Sequence, residues 1–310
     1  MTDIGLNPAV AVGAPAAAGI AEDDTVGRAG FGVGAWLCIV WLAIVILGAI
    51  FASVIPGLAD PLNPLAAISR KGPLSVSGHV LGGDALGRDL LSRSIYGGRA
   101  SLEISFFSVG IGFVIGGMVG LIAGYFRGRI DTALTATFDI LLAFPQLVLA
   151  LVLAAFLKGT SFGPIDFTPK VTLITAIAIV SIPILARITR TSTLTWSQRE
   201  FVMAAKAQGA GNFRIIFREV LPNVLPAMLA LALLGVGIAM VTEAGLSILG
   251  VGTPPPTPSW GNMIADGRNL LSEAPHIVFI PSIMIFLTVL SLNYLGDVIR
   301  EHFDARESAL

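Results

Sequence analysis

Charge is what this sequence has least of. Only 13% of its 310 residues are Asp, Glu, Lys or Arg, against about a quarter in a soluble domain. So little charge excludes a water-soluble globule of this size. With 55% apolar residues and a mean hydropathy of +0.84, the composition describes an integral membrane protein. Cysteine is nearly absent. Cys38 stands alone inside an apolar run, which excludes an intrachain disulfide, and no Cys-based metal site is visible. The three histidines, His79, His276 and His302, are far apart in sequence, so no metal-ligand set is visible. No G-x-x-x-x-G-K-[ST] run occurs, so the chain has no recognisable nucleotide site of its own. A net charge of −1 gives no reason to expect nucleic acid.

What the sequence does have is long apolar runs. About 20 apolar residues at 1.5 Å each cross ~30 Å of hydrocarbon, and six stretches qualify: residues 31–55, 104–125, 134–157, 171–186, 223–250 and 277–295. The fold class expected is therefore an all-α integral membrane protein with six transmembrane helices. Residues 1–30, rich in Ala, Gly and Pro with an acidic patch at Glu22, Asp23 and Asp24, read as a disordered cytoplasmic segment. They lack the basic start and apolar core of a signal peptide.

The segments between the spans carry the polar chemistry. Residues 57–100 form a long external loop in which Asp84, Arg88, Asp89, Arg93 and Arg99 alternate in sign, with Asp89 and Arg93 spaced as an i, i+4 pair. In the second span Gly112, Gly116, Gly120 and Gly124 recur every four residues, a pattern that lets helix backbones approach closely and favours static packing. The third span holds Asp139, Pro145 and Gln146. The proline should kink it, and the two polar side chains need partners or water. Glu243, at the far end of the fifth span, either lines a polar path or anchors a loop by accepting backbone N–H bonds. The Pro-rich loop 253–276 carries Trp260, placed for an interfacial aromatic belt. Asp139, Pro145, Gln146 and Glu243 are the candidate cavity or gate residues.

Residues 197–223, SQREFVMAAKAQGAGNFRIIFREVLPN, lie between the fourth and fifth spans and cannot sit in a bilayer. Ser197 and Glu200 have capping-box spacing. Phe201, Ala204, Ala205 and Gln208 share one helical face. Gly209 is a C-terminal stop, Asn212 an N-cap and Pro222 a terminator. Such a helix is either offered to another protein or lies on the lipid surface. With six spans the termini share a side with this segment, and eleven of the 19 Lys and Arg residues fall on that side. The positive-inside bias places both termini in the cytoplasm.

With the spans placed, the segment 201–223 resembles the E-A-A-x-x-x-G…L-P loop of ABC importer permeases, with Ala204, Ala205, Gly209, Leu221 and Pro222 in register. Four more blocks resemble the C-type permeases of the dipeptide/oligopeptide/nickel branch, in order along the chain. They are LGGDALGRDLLSRSIYGGRASL (81–102), FDILLAFPQLVLAL (138–151), EAGLSILGVGTPPPTPSWGNMI (243–264) and SLNYLGDVIREHFDAR (291–306). The resemblance runs from about residue 31 to the end.

It implies a type I importer permease domain over 31–310, with a cytoplasmic coupling helix in 197–222. The chain would be a non-catalytic transport subunit of a bacterial inner membrane, surrounded by lipid and binding no nucleic acid. It would work with two ATP-binding cassette subunits that hold ATP and Mg, a B-type sister permease and an extracytoplasmic substrate-binding protein. The residues implied in ATPase contact are Arg199, Glu200, Met203, Ala204, Ala205, Lys206, Gln208, Gly209, Ala210, Gly211 and Asn212. Met203 stands where the motif's glutamate belongs, and Glu200, three residues earlier, is placed to take part of that role. The implied cargo is a di- or oligopeptide, with nickel, haem or glutathione as alternatives. An ion-coupled secondary transporter is the rival from another class, but it needs acids or histidines inside several spans, and only Asp139 and Glu243 are candidates.

Overall fold

The computed structural model describes residues 32–307, so the expected disorder of 1–30 lies outside the described residues. Among the described residues five helices are long and apolar enough to cross a membrane, and a sixth crossing is reached if one bent helix pair counts as a single broken span. In chain order the helices are α1 (Val33–Phe51), α2 (Leu90–Phe126), α3 (Gly128–Leu142), α4 (Gln146–Leu157), α5 (Pro169–Trp196), α6 (Glu200–Ala207), α7 (Asn212–Arg214), α8 (Leu221–Ile248), α9 (Trp260–Gly267) and α10 (His276–Glu307). The only strands among the described residues are a two-stranded hairpin, β1 (Ser161–Phe162) and β2 (Ile165–Asp166), in the loop before α5.

Several helices outrun the apolar stretches that announce them. Asp89 caps α2 by accepting from the Ser92 amide at 2.8 Å, so the second helix starts at Leu90 rather than near residue 104. The expected Asp89–Arg93 pair is replaced by an Arg93–Asp84 pair at 3.3 Å, and His79 Nδ1 lies 2.7 Å from Asp89 Oδ2. Thr168 caps α5, and Pro169 occupies the first position, where no N–H is needed. That helix runs on to Trp196, so Arg187 and Arg190 lie within it and pair with Asp139 and Asp131 of α3. Pro145 does more than kink the third span: α3 and α4 meet at 89°.

Pro222 does not terminate a helix either. The chain runs from α7 through a wide π-helical turn, Ile215–Val220, into α8, with Pro222 in its first turn. A wide turn accommodates a proline that lacks an N–H and crowds the preceding turn. Beside it the Asn223 side-chain amide donates to the Glu219 carbonyl at 2.6 Å.

The core sits where α2, α4, α5 and α8 converge, around Ile104, Ala150, Leu173, Ile177 and Val236. Large side chains such as Phe106, Phe156 and Phe286 point outward. Apolar surface on both the inner and outer faces suits a bilayer or partner helices. Helices α2 and α5 are the tightest pair. A Cβ built on Gly116 would stand 2.6 Å from the Ile182 carbonyl oxygen, and one on Gly120 2.4 Å from that of Ala186. The glycine ladder thus seats α2 directly on the backbone of α5.

Candidate functional site

The segment between α5 and α8 folds as a short helix hung on its own membrane domain. Ser197 is not its cap. That residue closes α5, and its hydroxyl donates to the Leu194 carbonyl at 3.2 Å. Arg199 is the N-cap position, with its guanidinium 5.2 Å from the Trp196 ring centre. At the other end the Ala210 amide donates to Ala205 O and the Gly209 amide to Lys206 O, both at 3.0 Å. These two bonds form a Schellman closure around Gly209, whose φ of +81° suits glycine. Gly211 takes the N-cap position before α7, and Asn212 is the first helical residue.

Which face points inward was not what helical spacing alone suggested. Val202 is fully buried, in a socket with Leu121, Ile215, Val220, Val224 and Met228. Ala205 packs beside it and Ala210 follows in the loop. Of the face shared by Phe201, Ala204, Ala205 and Gln208, only Ala205 turns to the inner side. Arg199, Glu200, Met203, Ala204, Lys206, Gln208, Gly209, Gly211 and Asn212 remain exposed. Met203 is 55% exposed and lies one turn from Glu200, on the same outward side. The one β-branched residue of an alanine-rich helix was the sequence signal for the peg.

Two residues at the C-terminal end of α2 hold this segment. Tyr125 donates its hydroxyl to Asn212 Oδ1 at 2.9 Å, and Lys206 Nζ lies 5.3 Å from the centre of its ring. Arg127 donates to Ser197 Oγ at 3.3 Å and reaches the Leu194 carbonyl. If Val202 is the peg, Val202→Asp places an unpaired carboxylate in an apolar socket at a cost of roughly 3 kcal/mol or more. In detergent-solubilised protein, trypsin should then cut at Arg199 and Lys206 on the order of tenfold faster, while the long helices stay resistant. An unchanged cutting rate would remove the peg.

The candidate cavity residues do not come together. Gln146 lines a groove between α4, α5 and α8, with Ser181, Leu185, Ile238 and Thr242. Pro145 marks the break before it, and Asp139 is held by Arg187. Glu243 lies elsewhere. It is fully buried and accepts from Ser101, Ser247 and Ser259 hydroxyls at 3.2, 3.1 and 2.9 Å. Of its two expected roles it takes the loop anchor, through hydroxyls rather than backbone N–H groups. Ser259 also makes a capping box with Asn262 at the start of α9. The next residue, Trp260, is 1% exposed and donates its indole N–H to the Ser94 carbonyl at 2.7 Å. It belongs to the core and not to an interfacial belt, because Gly97 and Gly98 of α2 leave the indole room. Beside it Asp84, Arg88 and Arg93 form a buried ion cluster next to Asp266 of α9. Burial raises the Asp266 carboxyl above its usual range, against the pull of both arginines.

Comparison with known proteins matches this architecture. Residues 116–308 match the family model of the binding-protein-dependent transport system inner membrane component. The chain is 40% identical to the dipeptide transport system permease protein DppC of Alkalihalophilus pseudofirmus, covering 87% of this chain and 86% of that one. It is 39% identical to the glutathione transport system permease protein GsiD of Pectobacterium atrosepticum, covering 76% and 75%. Among solved structures, the inward-facing MetNI methionine ABC transporter aligns with a TM-score of 0.57 over 67% of this chain and 95% of the matched chain, at 20% identity. The spans, the pegged segment between the fourth and fifth of them, and these matches agree: the chain belongs to the inner membrane component family of binding-protein-dependent transport systems, the permeases of ABC transporters.

Proposed function

We propose that the chain is a permease subunit of an ATP-driven importer that carries di- and oligopeptides across the bacterial cytoplasmic membrane, with both termini in the cytoplasm. The observation that carries the reading is α6, a closed short helix pegged by Val202 and turned outward through Glu200, Met203 and Ala204. In this reading α6 docks in a cleft of a separate ATPase subunit. Two such subunits bind ATP and Mg, and their closure moves the coupling helices so that the membrane cavity alternates between inward and outward access. A B-type sister permease covers the outward apolar faces and the groove at Gln146. An extracytoplasmic binding protein delivers the peptide to the side that carries the 57–89 and 252–276 loops. This chain supplies no catalytic residue and holds no cofactor.

Short peptides are favoured as cargo because the similar permeases serve dipeptide and glutathione systems, and glutathione is itself a tripeptide. Reconstituted with its sister permease, ATPases and binding protein, the chain should support ATP-dependent uptake of labelled dipeptide. Uptake of nickel or haem in place of peptide would reassign the cargo. Uptake driven by a proton gradient without the ATPases would overturn the reading. On the docking face, Ala204→Trp adds a large side chain where the contact is expected to be close. It should reduce ATPase co-purification by roughly tenfold or more, equivalent to about 1.4 kcal/mol of lost contact. Full co-purification would show that the ATPase sits elsewhere.

A further inference from the structure

The C-terminal end of α2 touches the α5–α7 segment in three places through two nearby residues. Arg127 holds its start at Leu194 and Ser197, the Tyr125 ring lies against Lys206 within α6, and the Tyr125 hydroxyl holds its end at Asn212. Arg127 itself has φ +54°, a left-handed backbone that non-glycine residues rarely adopt. Such a conformation persists only where the surroundings fix it, and here its side chain is tied to the end of α5. Between these ties Val202 shares its socket with Leu121 of α2. Helix α6 therefore cannot shift without straining contacts to α2.

The other end of the same helix is fixed just as firmly. Helix α2 has 37 residues, about 55 Å at 1.5 Å per residue. Near its start Ser92 donates to the Ala59 carbonyl at 2.6 Å, Arg93 pairs with Asp84, and the Ser94 carbonyl receives the Trp260 indole. Two turns further on Ser101 donates to Glu243 and accepts from the Trp260 amide. Along its middle the glycine ladder leaves no room to slide over α5. One rigid rod thus connects the α6 segment to the loops at the opposite end of the molecule.

We propose that Tyr125 is the positioning residue through which movement passes between α6 and α2. The loading state of the outer loops is thereby communicated to the ATPases along one helix. This rests on the reading of α6 as the ATPase dock. Tyr125 lies on α2, behind α6, and acts on the partner only through Lys206 and Asn212.

The test compares ATP hydrolysis by the assembled, reconstituted importer with and without its peptide-loaded binding protein. Tyr125→Phe keeps the ring against Lys206 and removes only the hydroxyl bond to Asn212. Tyr125→Leu removes both. Assembly and basal hydrolysis should hold in each. Stimulation by the loaded binding protein should fall roughly threefold in the Phe variant and about tenfold in the Leu variant, as expected for one and then two lost contacts. A residue that served only the stability of α2 would not change the ratio of stimulated to basal hydrolysis in complexes that assemble. Wild-type stimulation in both variants overturns the proposal, as does wild-type stimulation in the Phe variant where the Leu variant fails to assemble. Failure of the docking reading itself shows separately, as intact ATPase co-purification by Ala204→Trp.

Discussion

Glu243→Ala should loosen the protein at the side opposite α6. The carboxylate is the common acceptor for three serine hydroxyls from three different elements: Ser101 on α2, Ser247 on its own helix, and Ser259 at the start of α9. The side chain is fully buried. Removing it leaves buried donors without an acceptor, each costing about 1–3 kcal/mol, so a total of roughly 3 kcal/mol or more is expected. At about 2–4 °C per kcal/mol for a chain of this general size, the melting temperature in detergent should fall by about 6–12 °C. Because Ser259 sets the α9 cap and Ser101 holds the Trp260 amide, protease should enter the 253–276 loop first. Glu243→Gln keeps the shape and one acceptor oxygen, and should melt between the two. If the alanine variant melted with wild type, the serine network would not be what holds the loop.

That network shows where the sequence was legible and where it was not. Each of the five long apolar helices, and the bent pair α3–α4, overlaps one of the apolar runs, because span length is set by hydrocarbon thickness, a local property of the chain. The runs misplaced the ends, because α2 and α5 extend into regions where protein contacts replace lipid. Asp89 and Thr168 are caps whose signals are local and could have been read. The C-terminal extent of α5 depends on Arg187 and Arg190 finding Asp139 and Asp131 on α3, pairings across 48 and 59 residues of sequence that no short-range rule supplies.

The candidate site divides along the same line. Gly209 was readable because a Schellman closure is built within six residues. The inward side of α6 was not, since spacing defines a face without saying what lies opposite it. Val202 rather than the alanine pair found the socket of Leu121, Val220 and Met228. Glu243 was marked by its rarity, an acid in an apolar helix, but its partners lie 142 and 16 residues away as well as one turn along. Trp260 was assigned to an interface on composition. The two glycines of α2 that admit it to the core carry meaning only once the two segments are known to meet.

Gly120→Leu should have the largest effect of any single change in the α2–α5 contact. Gly112, Gly116, Gly120 and Gly124 face α5 in register. The Cβ alone at position 120 would approach the Ala186 carbonyl oxygen to 2.4 Å and Thr189 Cβ to 2.7 Å, where ordinary contact begins at 3.4 Å. A backbone carbonyl cannot rotate away as a side chain can, so α2 and α5 would have to part by about 1 Å before the rest of the leucine is placed. Overpacking of this kind costs about 1–3 kcal/mol where neighbours yield, and more where the obstacle is main chain. Separation would also strain the bonds from Arg127 to the end of α5. The loss should therefore appear twice, as low recovery of folded protein from the membrane and as faster trypsin cutting at Arg199. Gly110, on the same helix with nothing within 4 Å of a built Cβ, is the control. Gly110→Ala should be neutral or slightly stabilising, since alanine gains up to about 1 kcal/mol of helix propensity over glycine. Equal behaviour of the two variants would mean that α2 and α5 are not in direct backbone contact, and α2 could not then serve as a rod. A normal Gly110→Ala beside a failed Gly120→Leu would place the contact on the face that carries the ladder.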